Sequence, residues 1–275
     1  EIQNPVCKED SIKLTFKATN LDGQPVSVEG NYKLYPVVGG AKSEEVMKGT
    51  PAYTGTFVSN KETLLPGWTS VPSGEYLLVM SAKDDQGREV TGEEEVILFS
   101  IKDKRPPVDK AIWYYAENTS FDAAHPAVFY FGTSKKDAYV MMNLFSGNRM
   151  LESKVLRLSD SIERFEYPYK ESYGNGLSAT FCFVKDGSVN QQTVRMTKRL
   201  PDKTLTMKWE VFRDKLRPGQ EEEWKLTVKT PQGMPAAAEM LATMYDASLD
   251  KIWKNNQSLR IGYNLSVPGT RWMDG

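Results

Sequence analysis

The stretch "RPGQEEEWKLTVKTPQGMPAAAEML", Arg217 to Leu241, sets the terms for the whole chain. Trp224, Leu226 and Val228 alternate with Glu223, Lys225, Thr227 and Lys229. Successive side chains of a strand point to opposite faces, so this spacing predicts a strand with one apolar face. A Pro-Gln-Gly-Met-Pro turn follows, and then the chain is apolar again. The three glutamates in front of the strand raise the question of an acidic site.

The same period of two recurs outward from this stretch. Ile12, Leu14 and Phe16 alternate in "SIKLTFKAT". Further strand-like runs are "VSVEGNYKLYPV", "SGEYLLVMSA", "EEEVILFSI", "AVFYFGT", "AYVMMNLFSG", "KVLRLSD", "ERFEYPY", "SATFCFVKDG", "QQTVRMTK" and "TLTMKWEVF". Asp85-Gln86-Gly87 is a hairpin or bulge connection, because glycine tolerates positive φ. Short strands at this spacing, separated by turn residues, predict an all-β chain of antiparallel sandwiches.

Two stretches break the pattern. "IKDKRPPVDK" has two prolines among charges, which do not fit a sheet interior, and "RLPDK" repeats the break. They divide the chain into expected sandwiches at 1–104, 105–200 and 201–275. One segment resists the reading: "PAAAEMLATMYDASLDKIW" places Leu241, Met244, Tyr245, Ser248, Leu249 and Ile252 at helical spacing.

Composition narrows the function. The 275 residues carry a net charge of −1, which leaves no electrostatic footprint for nucleic acid. The 11 Phe, 6 Trp and 13 Tyr exclude a disordered composition. No apolar run approaches the roughly 18 to 20 residues a membrane helix needs, so no membrane insertion is expected. The start at Glu-Ile-Gln-Asn-Pro, without Met or a signal-peptide pattern, reads as a segment of a longer chain.

Candidate chemistry is sparse. His125 is the single histidine, and "FDAAHPAVF" supplies no local partner. Cys7 and Cys182 are too few for a closed zinc site, and a bridge between them would span the chain. "GNGLSA", Gly174 to Ala179, has loose dinucleotide spacing, but a β-like run follows where a helix is required, so it reads as a turn. Glu93-Glu94-Glu95 and Glu221-Glu222-Glu223 lack calcium-loop spacing, and strand alternation splits each cluster between two faces. They read as solvated strand entrances. The groups around "IWYY" and "EYPYKESY" are either core aromatics or, at Tyr167, Tyr169 and Tyr173, exposed platforms for a sugar or partner. No hydrolase, zinc-protease or phosphate-loop motif occurs. The residues therefore predict a non-enzymatic chain with no catalytic, cofactor-binding or metal residue.

The opening stretch also resembles the bacterial alpha-2-macroglobulin family. The likeness runs through Pro218-Gly219, the strand Trp224 to Val228, Gly233 to Ala236, and Asp246-Ala247-Ser248-Leu249-Asp250. "TNLDGQPVSVEGNYKLYPV" and "PSGEYLLVMSAKDDQGREV" are similar to it as well. The resemblance implies tandem macroglobulin domains, each a fibronectin-like or immunoglobulin-like β-sandwich. It favours a strand at Ala236 to Tyr245 over a helix, then a short helical turn near Ser248. Ala238, Met240, Ala242 and Met244 would face Trp224, Leu226 and Val228.

Members of the family are protease traps, many with a Cys-Gly-Glu-Gln thioester motif that this chain lacks. The resemblance thus implies a non-catalytic scaffold segment of an envelope-associated protein, periplasmic or surface-exposed. Its partners would be neighbouring domains of the same chain, and proteases only through the whole protein. The alternative is an adhesin or carbohydrate-binding module using the tyrosines. Within the scaffold reading Trp224 is expected to be buried, with Glu221 and Glu222 solvated.

Overall fold

The computed structural model describes residues 4–39, 42–211, 217, 219–238 and 265–268. It is mostly β, with 52% strand and 5% helix, so the helical spacing after Pro235 is not a sign of a helical protein. The strand expected from Ala236 to Tyr245 and the turn near Ser248 lie outside the described residues, apart from 236–238.

The first sandwich holds β1 (Val6–Cys7), β2 (Lys13–Thr15), β3 (Glu29–Pro36), β4 (Tyr53–Val58), β5 (Glu62–Leu64), β6 (Gly74–Lys83) and β7 (Glu89–Phe99). One sheet has the order β1-β7-β6-β3-β4, and the other pairs β2 with β5. This is an immunoglobulin-like order, in which the first strand joins the sheet of the last one. Alternation builds the core directly. Tyr32 and Leu34 of β3, Tyr76 and Leu78 of β6, and Val96 and Leu98 of β7 meet Ile12, Leu14 and Phe16 from the facing sheet. Trp68, fully buried, comes from a short 3-10 turn at Pro66–Ser70. The β6–β7 hairpin turns at Asp84–Arg88 as the sequence predicts, with Gly87 at φ 77°.

The second sandwich holds β8 (Trp113–Asn118), β9 (Ser120–Phe121), β10 (Ala127–Thr133), β11 (Ala138–Ser146), β12 (Arg149–Leu158), β13 (Ser161–Tyr167), β14 (Gly176–Lys185) and β15 (Ser188–Lys198). Its sheets run β13-β10-β8 and β12-β11-β14-β15-β9. Phe131 and Phe181 stack at 4.1 Å between the layers, and Phe129 stacks on Phe165 at 5.2 Å. Val140, Met142, Leu144, Val194 and Met196 complete this core.

The chain separates into two compact units, Glu1–Thr197 with Val267–Gly275, and Lys198–Ser266. Both sandwiches belong to the first unit. In the second, β16 (Thr206–Val211) pairs antiparallel with β17 (Lys225–Lys229).

A turn at the start of the first sandwich recurs in the second unit. Asn20 N–H donates to Gln24 O and Gly23 N–H to Asn20 O, at 2.9 and 3.0 Å; Thr230 to Met234 and Gly233 to Thr230 repeat this at 2.8 and 2.9 Å. Gly23 and Gly233 have φ of 76° and 79°, a left-handed conformation that glycine adopts without steric cost. The bridges Thr19–Pro25 and Lys229–Pro235 close both turns. Val26 N–H to Ala18 O and Ala236 N–H to Val228 O extend them equally. Residues 14–28 and 224–238 are thus two copies of one hairpin, and the resemblance noted above falls on both.

Candidate functional site

The most constructed feature of the first unit is the joint between its two sandwiches. Phe99 follows Leu98 on β7, so its side chain leaves the opposite face of the sheet. Leu98 enters the first core, whereas Phe99 meets Trp113 and Tyr115 of β8 at 5.4 and 4.5 Å between ring centroids. Cys7, Phe99 and Trp113 are buried together, with Ile97, Ile101, Val108, Tyr115 and Ile162 against them.

The proline-bearing break is bound along its length. Ile162 N–H donates to Lys104 O at 3.0 Å, and Ser134 N–H to Lys110 O at 3.1 Å. Ser134 Oγ donates to the Asp109 carboxylate at 2.5 Å, and Arg105 pairs with Asp160 at 3.5 Å. Two prolines keep the segment out of the sheets, but the Lys104 and Lys110 carbonyls find partners on the second sandwich.

Glu9 fastens the other side. Its carboxylate accepts from Ser100 Oγ at 2.5 Å, from Ile101 N–H at 3.2 Å and from Cys7 Sγ at 3.3 Å. Burial pushes the Glu9 carboxyl up, but these donors outweigh it and hold its pKa below the ordinary glutamate value. Burial pushes the Cys7 thiol up to about 11, so it stays protonated at neutral pH and is a poor nucleophile. Tyr115 is also raised, first by burial and then by Cys7 and Asp10. Cys7 and Cys182 form no disulfide.

The other candidate residues are dispersed. Contrary to expectation His125 has a local partner: its Nδ1 lies 2.9 Å from Asp122 Oδ1, and the same oxygen accepts the Ala124 and His125 N–H groups, so the pair caps its own loop. The hydrogen bond from His125 is the main cause holding Asp122 below the ordinary range. "GNGLSA" is a turn into β14, as its context predicts: a Cβ on Gly176 would come within 2.0 Å of Met196 O. Glu93, Glu94 and Glu95 are exposed on β7. Glu221 and Glu223 are exposed, and Glu222 is half-buried and accepts from Gln220 at 3.0 Å. No group of three or more His, Cys, Asp or Glu suited to a metal occurs among the described residues. No helix among them is long and apolar enough to cross a membrane.

Of the two readings of the tyrosines the structure bears out core packing, and one aromatic expectation, at Trp224, changes. Tyr167, Tyr169 and Tyr173 are not exposed platforms: all three pack on the second core, Tyr167 against Phe129 and the other two against Phe121. Burial raises the Tyr167 phenol, and the Tyr169 hydroxyl donates to Gly174 O at 3.1 Å. Short-range sequence could not show that Phe121 lies beneath them. Trp224 is half-buried rather than buried, and meets Trp209 edge-on at 6.1 Å. Trp209 itself is 45% exposed, so the pair sits at the margin of its unit.

Three concavities mark the first unit. One of about 640 Å³ lies between β4 and the Lys61–Leu64 edge. Another of about 300 Å³ opens at Phe16, Ala18, Met80 and Val90. The third, about 270 Å³, lies between Asp10–Leu14 and Tyr115–Ala116. The sequence offered "IWYY" as a filler of the core or of a joint, and Trp113 and Tyr115 fill the joint; their partners Cys7 and Phe99 were not legible, since they sit in separate strand runs. The apolar residue after Leu98 was its faint signal, because a strand buried on one face alone would place a polar residue there.

Strand order and joint define an all-β chain whose first unit holds two immunoglobulin-like sandwiches. No family model and no curated protein matches the chain. Among solved structures it is similar to the native conformation of E. coli alpha-2-macroglobulin, at 14% identity and a TM-score of 0.28, over 84% of this chain and 18% of that one. It is also similar to the BSP domain of a biofilm associated protein, at 13% identity and a TM-score of 0.23, over 71% of this chain and 29% of that one. The chain therefore spans less than a third of either.

Proposed function

We propose that this chain is a non-catalytic scaffold segment, organised as sandwiches at 1–104, 105–200 and 201–275, of an alpha-2-macroglobulin-like protein of the bacterial cell envelope. The observation that carries the scaffold role is the joint. A linker bound along its length and an aromatic cluster between two cores fix the spacing of two modules. The recurrence of one hairpin at 14–28 and 224–238 supports a series of related modules. The parent's role as a protease trap rests on the family resemblance alone. Proteases and neighbouring domains are its proposed partners, in the periplasm or at the cell surface.

Two measurements test this. The purified chain, incubated with a panel of hydrolase substrates and with proteases on small substrates, turns over none and inhibits none. Reproducible turnover would sink the scaffold reading. Cell fractionation of the source bacterium, with an antibody to the chain, recovers the native protein with the envelope; recovery in the cytosol would remove the envelope assignment.

A further inference from the structure

The first sandwich differs from the other modules at one edge. In the second sandwich β8 pairs antiparallel with β10, and in the second unit β16 pairs antiparallel with β17. β2 holds the place of β10, because each has the facing-sheet partner β5 or β13 on its other side. It also holds the place of β17, because the same hairpin follows both. Yet among the described residues the β2–β5 sheet ends at β2.

The backbone along this edge is unfilled. Phe16 O and Ala18 O accept from Asn60 and Val26, on the inner side of the strand. Alternation therefore turns the Lys17 and Thr19 N–H and C=O groups outward. Among the described residues no backbone hydrogen bond engages Lys17 or Thr19. The cavity of about 300 Å³ opens beside them, floored by Phe16, Met80 and Val90. Val90 is 57% exposed there.

We propose that this edge is a strand acceptor: it takes an extended segment of a partner polypeptide, antiparallel to Thr15–Thr19 and apolar at alternate positions. The proposal goes beyond the scaffold role and does not depend on it. The second unit supplies the register. Met207 opposes Val228 and Trp209 opposes Leu226, the counterparts of Ala18 and Phe16. Apolar residues of the partner thus lie opposite Ala18 and Phe16, over the cavity. Main-chain bonds supply the affinity, and the alternate side chains select the sequence.

Outward positions carry a charge preference. Glu210 of β16 pairs with Lys225 at 2.9 Å and accepts from the Thr227 hydroxyl. Lys17 stands where Thr227 stands, diagonal to Glu210 and directly opposite Lys208, so an acidic residue at the Glu210 position of the partner is favoured and a lysine at the Lys208 position is not. Lysines on an open edge deter indiscriminate pairing, which leaves an acidic, alternating strand as the selected ligand.

The test uses the full chain and a labelled peptide, TLTMTWEV, with the sequence of Thr204–Val211 except that threonine replaces Lys208, which would otherwise oppose Lys17. Fluorescence anisotropy shows saturable binding, and hydrogen exchange shows the Lys17 and Thr19 amides slowing when peptide is added. Lys17→Pro, which removes an outward donor at a position where an edge strand tolerates proline, weakens binding at least tenfold with an unchanged far-UV spectrum. If that variant misfolds, Lys17→Glu keeps the backbone and serves instead, lowering affinity for this peptide and restoring it for a peptide with lysine in place of its glutamate. The proposal is overturned by no binding at millimolar peptide, by binding indifferent to Lys17→Glu, or by Lys17 and Thr19 amides already protected in the free chain.

Discussion

Phe99→Ala uncouples the two sandwiches of the first unit. Phe99 is 2% exposed, and truncating a buried phenylalanine costs about 3–5 kcal/mol. Part of that cost lies within β7 and part in its ring contacts with Trp113 and Tyr115. Each aromatic pair contributes about 0.5–1.5 kcal/mol beyond its burial, so about 1–3 kcal/mol of coupling is lost. Opening of the 101–110 segment then becomes about 5- to 150-fold more frequent, and proteolysis under fast reclosing tracks that population. Trypsin has targets there at Lys102, Lys104 and Lys110. The expected result is resistance in the parent, cleavage at these lysines in the variant, and a calorimetric transition that splits in two. Leu98→Ala is the control. Leu98 is fully buried in the first core, one residue away on the opposite face, and costs about 2–5 kcal/mol. It lowers the first transition without selective cleavage of the segment. If the segment opens equally in both variants, or in neither, the joint is not held by Phe99.

Glu9 gives a pH dependence. Its folded pKa lies below the unfolded value of about 4.3, so its contribution is complete above that value and disappears as pH falls through the folded pKa. Thermal melts of the parent and Glu9→Gln should differ by no more than about 1 kcal/mol at pH 7, given the exposure of the group, and converge only once pH has fallen through the lowered folded pKa; divergence on acidification would contradict the sign. Trp224→Ala destabilises the second unit by about 1–2 kcal/mol, less than for a fully buried tryptophan, because the ring is half-buried and has one edge contact with Trp209. Glu221→Gln with Glu222→Gln shifts the melt by less than about 0.5 kcal/mol, and a calcium-dependent melt abolished by that pair would make the acidic run a ligand site. Tyr167, Tyr169 and Tyr173 show no fluorescence or resonance response across a glycan panel, since their rings are committed to Phe129 and Phe121; a saturable response would restore the sugar-binding reading.

What the sequence revealed follows from the range of each interaction. Tyr32 and Leu34 point to the first core and Asn31 and Lys33 to water, so β3 was legible from alternation alone. β10 is buried at every position, and there the length of the apolar run between turns identified the strand. The Asp84–Arg88 turn was legible because a carboxylate and a glycine three residues apart determine it locally. The joint depends on contacts that the topology alone creates. Glu9 meets Ser100, 91 residues away. Core packing of the tyrosines was one of two open readings, and their partner was not legible, because Phe121 lies on a two-residue strand with no alternation of its own. Trp224 was read as buried because its strand alternates, but period shows which face a residue is on, not how deeply that face is covered.

The parallel pairing of β1 with the end of β7 has a mechanical consequence. Val6 lies beside Leu98 and Cys7 beside Phe99. The Asn4 side chain binds Glu95 O and Ile97 N–H, Lys8 N–H binds Phe99 O, and Glu9 binds Ser100 and Ile101. The chain enters and leaves the first sandwich along neighbouring, equally directed strands. A tension that draws residue 4 and residue 101 apart pulls these strands in opposite senses along their common axis. The bonds between them then bear the load together, in shear, instead of opening one after another from an end. Under such a pull the first sandwich works as a clamp whose strength is set by the number of these bonds, independently of the cohesion of its core.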